Sequence, residues 1–101
     1  MDINPIRSKI KNDEYELTLH AIRRRVERKI STHDIENAIL NGEIIEEYPD
    51  DKPFPSCLIA GQTRGGELLY VVCAIAPVVK IITVYVHKED EWVDHRRRKE
   101  K

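Results

Sequence analysis

His20-Ala-Ile-Arg-Arg-Arg-Val-Glu-Arg-Lys-Ile-Ser31 is the stretch around which the rest of the chain is organised. Read at about 100° per residue, Leu19, Ile22, Val26 and Ile30 form one apolar stripe, and His20, Arg24, Glu27 and Arg28 fall together on a face turned away from it. The pattern predicts a short, very basic amphipathic helix whose apolar stripe belongs to the core. His20, Arg24 and Arg28 follow at i, i+4 and i+8, so their side chains stack along one line and can present an imidazole and two guanidiniums to a single anion. The same residues admit a plainer reading. Arg and Glu are good helix formers, Arg24 and Glu27 can form an ordinary surface pair, and His20 can cap or pack.

Upstream of this helix, Ile3, Ile6, Arg7 and Ile10 recur at helical spacing over residues 3–12, with Asp2 able to cap and Pro5 in the first turn. Asn12-Asp13 ends that helix. Tyr15-Glu-Leu-Thr-Leu19 then alternates apolar and polar residues, as a half-buried strand does, with Tyr15, Leu17 and Leu19 inward. Downstream, Ser31 followed by Asp34 is an acidic variant of the capping box, and Ile35, Ala38 and Ile39 continue at helical spacing to the stop at Asn41-Gly42.

From Glu43 the period changes to that of strands. Glu43–Tyr48 is the first run, and Pro49-Asp-Asp-Lys-Pro-Phe-Pro55 is a loop that can neither enter a sheet interior nor continue a helix. Ser56–Ala60 is the second, and Gly65-Gly66 turns the chain into Leu68–Ala76, whose unbroken apolar character predicts a central strand covered on both faces. Lys80–His87 is the last, with Ile82, Val84 and Val86 on one face and Ile81, Thr83, Tyr85 and His87 on the other. The fold class is therefore α+β: an N-terminal helix over residues 1–14, a single domain over 15–87 with a short strand, two helices and a curved antiparallel sheet of about four strands, and a charged tail over 88–101. Leu69, Val71, Cys73, Ile82, Val84, Leu19, Ile22, Val26 and Ile39 are the expected core. Trp92 is expected to dock the tail on the body, with residues 94–101 mobile.

The chain's 101 residues, 41% hydrophobic, have room for one core. No run approaches the length of a membrane span, and Met1-Asp-Ile-Asn-Pro5 lacks a secretory pattern, so a soluble, cytoplasmic protein is expected, with no membrane partner. Charge is segregated along the chain. Residues 1–30 hold eight Lys/Arg against five acids, residues 31–56 one against seven, and residues 88–101 six against five. A basic region beside an acidic one suits a protein that meets an anionic ligand and a basic partner, although such segregation also occurs without functional meaning.

The histidines at 20, 33, 87 and 95 and the cysteines at 57 and 73 have no metal-ligand spacing, so no metal and no cofactor is expected. Cys57 and Cys73 read as small buried thiols, and the four glycines sit at helix stops and hairpin turns rather than in a phosphate-cradling loop.

Leu17-Thr-Leu-His20-Ala-Ile-Arg-Arg24-Arg-Val-Glu27-Arg28-Lys-Ile30-Ser31, with Asp34-Ile35, Gly42-Glu-Ile-Ile-Glu-Glu-Tyr48-Pro49 and Ile82-Thr83-Val84-Tyr85, closely resembles the DUF4258 family, a bacterial family of unknown function. The resemblance spans roughly residues 15–87 and is carried most specifically by His20-Ala with Arg24, Glu27-Arg28 and Ile30-Ser31. Lys29 departs from it where the family usually has glycine, and Arg23 and Arg25 add positive charge. Members of the family are similar to the RelE-like fold of bacterial toxins and ribonucleases, and often resemble the toxin half of a two-gene pair beside a zinc-finger antitoxin. The resemblance implies a metal-independent endoribonuclease, with RNA as substrate and a small antitoxin protein as partner. Such cleavage needs a base for the 2′-hydroxyl proton, an acid for the leaving oxygen and cations on the phosphate. His20 is the candidate base or acid, Arg24 and Arg28 are phosphate clamps, Thr83 is a hydrogen-bond donor, and Tyr85 is a stacking or proton-transfer group. Glu27 is a second candidate base or a partner that fixes Arg24 or Arg28. The alternative is a non-catalytic module that binds RNA or an acidic protein through the basic helix.

Overall fold

A computed structural model describes residues 1–86, 92–94 and 97–98. The chain forms α1 (Asn4–Lys11), β1 (Tyr15–Leu17), α2 (Leu19–Arg28), α3 (Thr32–Asn41), β2 (Glu43–Tyr48), β3 (Ser56–Gln62), β4 (Leu68–Ile75) and β5 (Val79–Val86), with short paired segments β6 (Trp92–Asp94) and β7 (Arg97–Arg98). The expected α+β architecture is present. Strands β2 to β5 form an antiparallel meander, and β1 adds a fifth strand by pairing parallel to β5, giving the order β1-β5-β4-β3-β2. The unbroken apolar run of β4 does occupy the centre of the sheet, with Leu69, Tyr70, Val71 and Cys73 fully buried. His87 and the side chain of Trp92 lie outside the described residues, as does most of the tail expected to be mobile.

One buried cluster joins Ile6 and Ile10 of α1, Ala21 of α2 and Ile35, Ala38 and Ile39 of α3 to Cys57, Ile59, Leu69, Val71, Cys73, Val79, Ile81 and Val84 of the sheet. Leu58, Ala60 and Tyr70 form a second cluster, joined by the half-buried Val72 and Tyr85. Local chemistry accounts for the helix ends. Ser31 and Asp34 close the reciprocal capping box of α3 that the sequence predicts. At the other end of α3, the Arg7 guanidinium donates to the Ile39 and Gly42 carbonyls, placing a cation where the helix dipole is negative. Gly61 is required by close approach, since a Cβ there would overlap the Ala38 carbonyl.

Three sequence expectations are corrected. First, Leu19, Ile22 and Val26 are not core: they are 63%, 42% and 63% exposed, and of the stripe only Ile30 is buried. Helix α2 lies against β5 and β1 through Ala21, whose small side chain permits close approach, and the half-buried Arg24 and Arg25 flank that contact. Its first turn is fastened to β5 by Thr18, and Ile30, buried just beyond its last turn, anchors the other end. Second, the strand ends at Leu17, so Leu19 opens the helix instead of facing inward. Third, Ile81 leaves the face assigned to Thr83 and Tyr85. Register passes from Val72↔Thr83 to Cys73↔Ile81, so Ile82 is the extra residue of a β-bulge. Ile81 therefore joins Val84 in the core and Ile82 is only half-buried.

Candidate functional site

The site begins with a residue that sequence reading passed over. Thr18 is the N-cap of α2: its hydroxyl accepts from Ala21 N at 3.2 Å and donates to the Ile82 carbonyl at 2.8 Å, while its own N–H donates to the Ile81 carbonyl at 3.0 Å. The signal was present, since threonine immediately before a periodic apolar run is a standard helix start. These bonds fasten the first turn of α2, which carries His20, to the strand segment that runs on into Thr83 and Tyr85.

His20 is exposed and makes no hydrogen bond or ion pair among the described residues, so it neither caps nor packs. Arg24 lies half-buried with its side chain 33% exposed, and its Nη1 approaches Glu27 Oε2 at 3.9 Å, a long surface contact of little energetic weight. Its Nε is shut off from solvent with no hydrogen-bond partner. An unpartnered buried N–H costs stability, which sets Arg24 apart from its exposed neighbours on this flank. Glu27 and Arg28 are exposed. His20, Arg24, Glu27 and Arg28 thus share one flank of α2, as their spacing predicts, between the exposed apolar stripe and the sheet.

On β5, Thr83 is half-buried opposite Val72, and the bulge at Ile82 leaves it on the side of the sheet away from Val84. Tyr85 pairs with Tyr70 across the strands, ring centroids 5.3 Å apart and tilted by 31°. Tyr85 therefore already has an aromatic neighbour and belongs to the second cluster.

Elsewhere, Tyr15 donates to Glu36 Oε2 at 2.5 Å, and burial followed by that hydrogen bond pushes its phenol above the ordinary range. Cys57 and Cys73 face each other across β3 and β4 as free thiols, fully buried. Burial pushes Cys57 up to about 11, and burial with the neighbouring Cys57 pushes Cys73 further up. Neither is prepared to act as a nucleophile. An open hollow of about 360 Å³ beside Asn41 and Gln62 lies toward the opposite edge of the sheet from α2, and Asn37 and Asn41 both donate to the Gln62 carbonyl there. Among the described residues no group of three or more His, Cys, Asp or Glu side chains is placed to hold a metal, and no helix is long and apolar enough to cross a membrane.

A family model described as Domain of unknown function (DUF4258) matches residues 17–86, which include α2, α3 and the whole of the five-stranded sheet except its first two residues. No curated protein and no solved structure matches the chain.

Proposed function

We propose, since this chain belongs to the DUF4258 family, that it is a RelE-like, metal-independent endoribonuclease of the cytoplasm and the toxin half of a bacterial toxin–antitoxin pair. The observation that supports the reading is the double tether of Thr18 to the Ile81 and Ile82 carbonyls, which holds the turn bearing the exposed His20 against β5; Thr83 and Tyr85 face the side of the sheet opposite the helices. In this reading the exposed His20 moves the proton of the 2′-hydroxyl or of the leaving oxygen. Arg24 and Arg28 neutralise the phosphate as charge builds on its oxygens; Thr83, on the far side of the sheet from the helices, does not join them. Glu27, exposed on the same flank, is the second candidate base. Tyr85, stacked near Tyr70, offers a base-stacking surface more readily than a proton.

The test joins cells to the purified protein. Induction in a bacterial host should arrest growth with progressive loss of RNA integrity. The purified chain should cleave RNA in EDTA, and His20→Ala should remove both effects while shifting stability by less than about 1 kcal/mol, as for an exposed polar side chain. Loss of His20 with cleavage retained per folded molecule would remove it from the site. The second reading, a module that binds RNA or an acidic protein without cutting, is favoured by the engagement of Tyr85 with Tyr70, and it predicts salt-sensitive RNA binding with no cleavage under any condition.

A further inference from the structure

The exposed stripe of α2 has no role in the site above. Leu19, Ile22 and Val26 stand at i, i+3 and i+7 and form one contiguous aliphatic ridge over two turns. An amphipathic helix normally turns such a ridge inward. Here Ala21 takes the inward position and the ridge faces solvent, with Thr18 bonded to β5 at one end of the helix and Ile30 buried beyond the other. The rim of the ridge is cationic. At about 100° per residue, Arg23 borders it on one side, and Lys29, the left-handed C-cap whose N–H bonds the Val26 carbonyl, stands at its C-terminal end; both are exposed and neither forms an ion pair among the described residues.

We infer that this ridge is the docking site for an acidic amphipathic helical segment of a partner protein, whose aliphatic residues cover Leu19, Ile22 and Val26 and whose flanking Asp or Glu side chains meet Arg23 and Lys29. Three aliphatic side chains on one helix match a single incoming helix rather than a whole domain face. A second copy docking through the same ridge would bring another Arg23 and Lys29 to this rim, where an acidic segment brings the opposite charge. The ridge contains no aromatic side chain of the kind that anchors a helix at a membrane surface. Its residues are distinct from His20, Arg24, Glu27, Arg28, Thr83 and Tyr85, so the docking site stands without the nuclease reading. That the occupant is the antitoxin of the proposed pair rests on that reading.

The experiment uses the whole chain as bait for displayed helices of about 20 residues with leucine fixed at the i, i+3/i+4, i+7 positions and flanks randomised between acidic, basic and neutral residues. Enriched helices should carry Asp or Glu on their flanks. Synthesised and titrated by fluorescence anisotropy, they should bind the native chain about tenfold or more tightly than L19S/I22S/V26S, and similarly over R23E/K29E. All five positions are exposed, so circular dichroism melts of both variants should overlay the parent. No enrichment, basic flanks among the enriched helices, or equal binding to the variants would overturn the proposal. So would self-association, or binding to phosphatidylglycerol vesicles, that the triple serine variant abolishes. RNA cleavage, measured on the same proteins, fails or succeeds independently and reports only on the nuclease reading.

Discussion

Thr18 is bonded to Ile82: one hydroxyl donates to that carbonyl at 2.8 Å and at the same time accepts from Ala21 N, so a single oxygen starts α2 and fixes it to β5. Thr18→Val keeps the shape and removes both bonds. It should cost about 1–3 kcal/mol, the sum expected for a lost cap and an orphaned carbonyl acceptor on Ile82. Thr18→Ser retains both and should stay near the parent. Chemical denaturation of the pair checks this, and equal stability of Val and parent would show that the tether carries no energy.

Lys29 adopts left-handed backbone dihedrals, φ 56° and ψ 42°, as the C-cap of α2, and its N–H donates to the Val26 carbonyl at 3.2 Å. A side chain there costs about 1–2 kcal/mol that glycine avoids, offset in part by glycine's greater freedom when unfolded. Lys29→Gly should therefore raise stability by about 0.5–1 kcal/mol, read as a higher melting temperature. A lower one would contradict the strain assigned to this cap.

Arg24 pulls in opposite directions on stability and on anion binding. Its Nε is buried without a partner, so Arg24→Met should leave stability unchanged or raise it by up to about 1 kcal/mol. The same change should weaken RNA binding and lower the salt slope by roughly one counterion. Arg28→Ala, at an exposed position, should weaken binding without the stability gain. A clear destabilisation by Arg24→Met would mean that the guanidinium holds the helix in place.

At high pH the domain should lose stability. Tyr15, Cys57 and Cys73 are all held protonated in the fold, Tyr15 and both thiols above their ordinary values. The unfolded chain therefore releases these protons first. Their contribution is complete below the unfolded thiol value of 9.0 and is lost as pH climbs through the folded Cys57 value of about 11. Guanidinium midpoints should fall between about pH 8 and about pH 10.5, and Tyr15→Phe should reduce the fall. In the same light, thiol reagents at neutral pH should label neither cysteine until the chain unfolds.

Residue order alone determined much of this protein. The box formed by Ser31 and Asp34, the Ile35-Ala38-Ile39 face of α3, the change of period at Gly42 and the central position of β4 all follow from local chemistry and from runs long enough to have only one reading. The spacing of His20, Arg24 and Arg28 likewise put them on one flank. Tertiary structure decided the rest. Periodicity says that α2 has an aliphatic face but not that this face meets the sheet; the Thr18 bond to β5 and the buried Ile30 anchor its two ends, and Ala21 went inward while Leu19, Ile22 and Val26 went out. Alternation along β5 likewise predicts faces only while the register is unbroken. The extra residue at Ile82 is a property of the pairing with β4, invisible in either strand alone, and it moved Ile81 into the core while leaving Thr83 and Tyr85 on the opposite side.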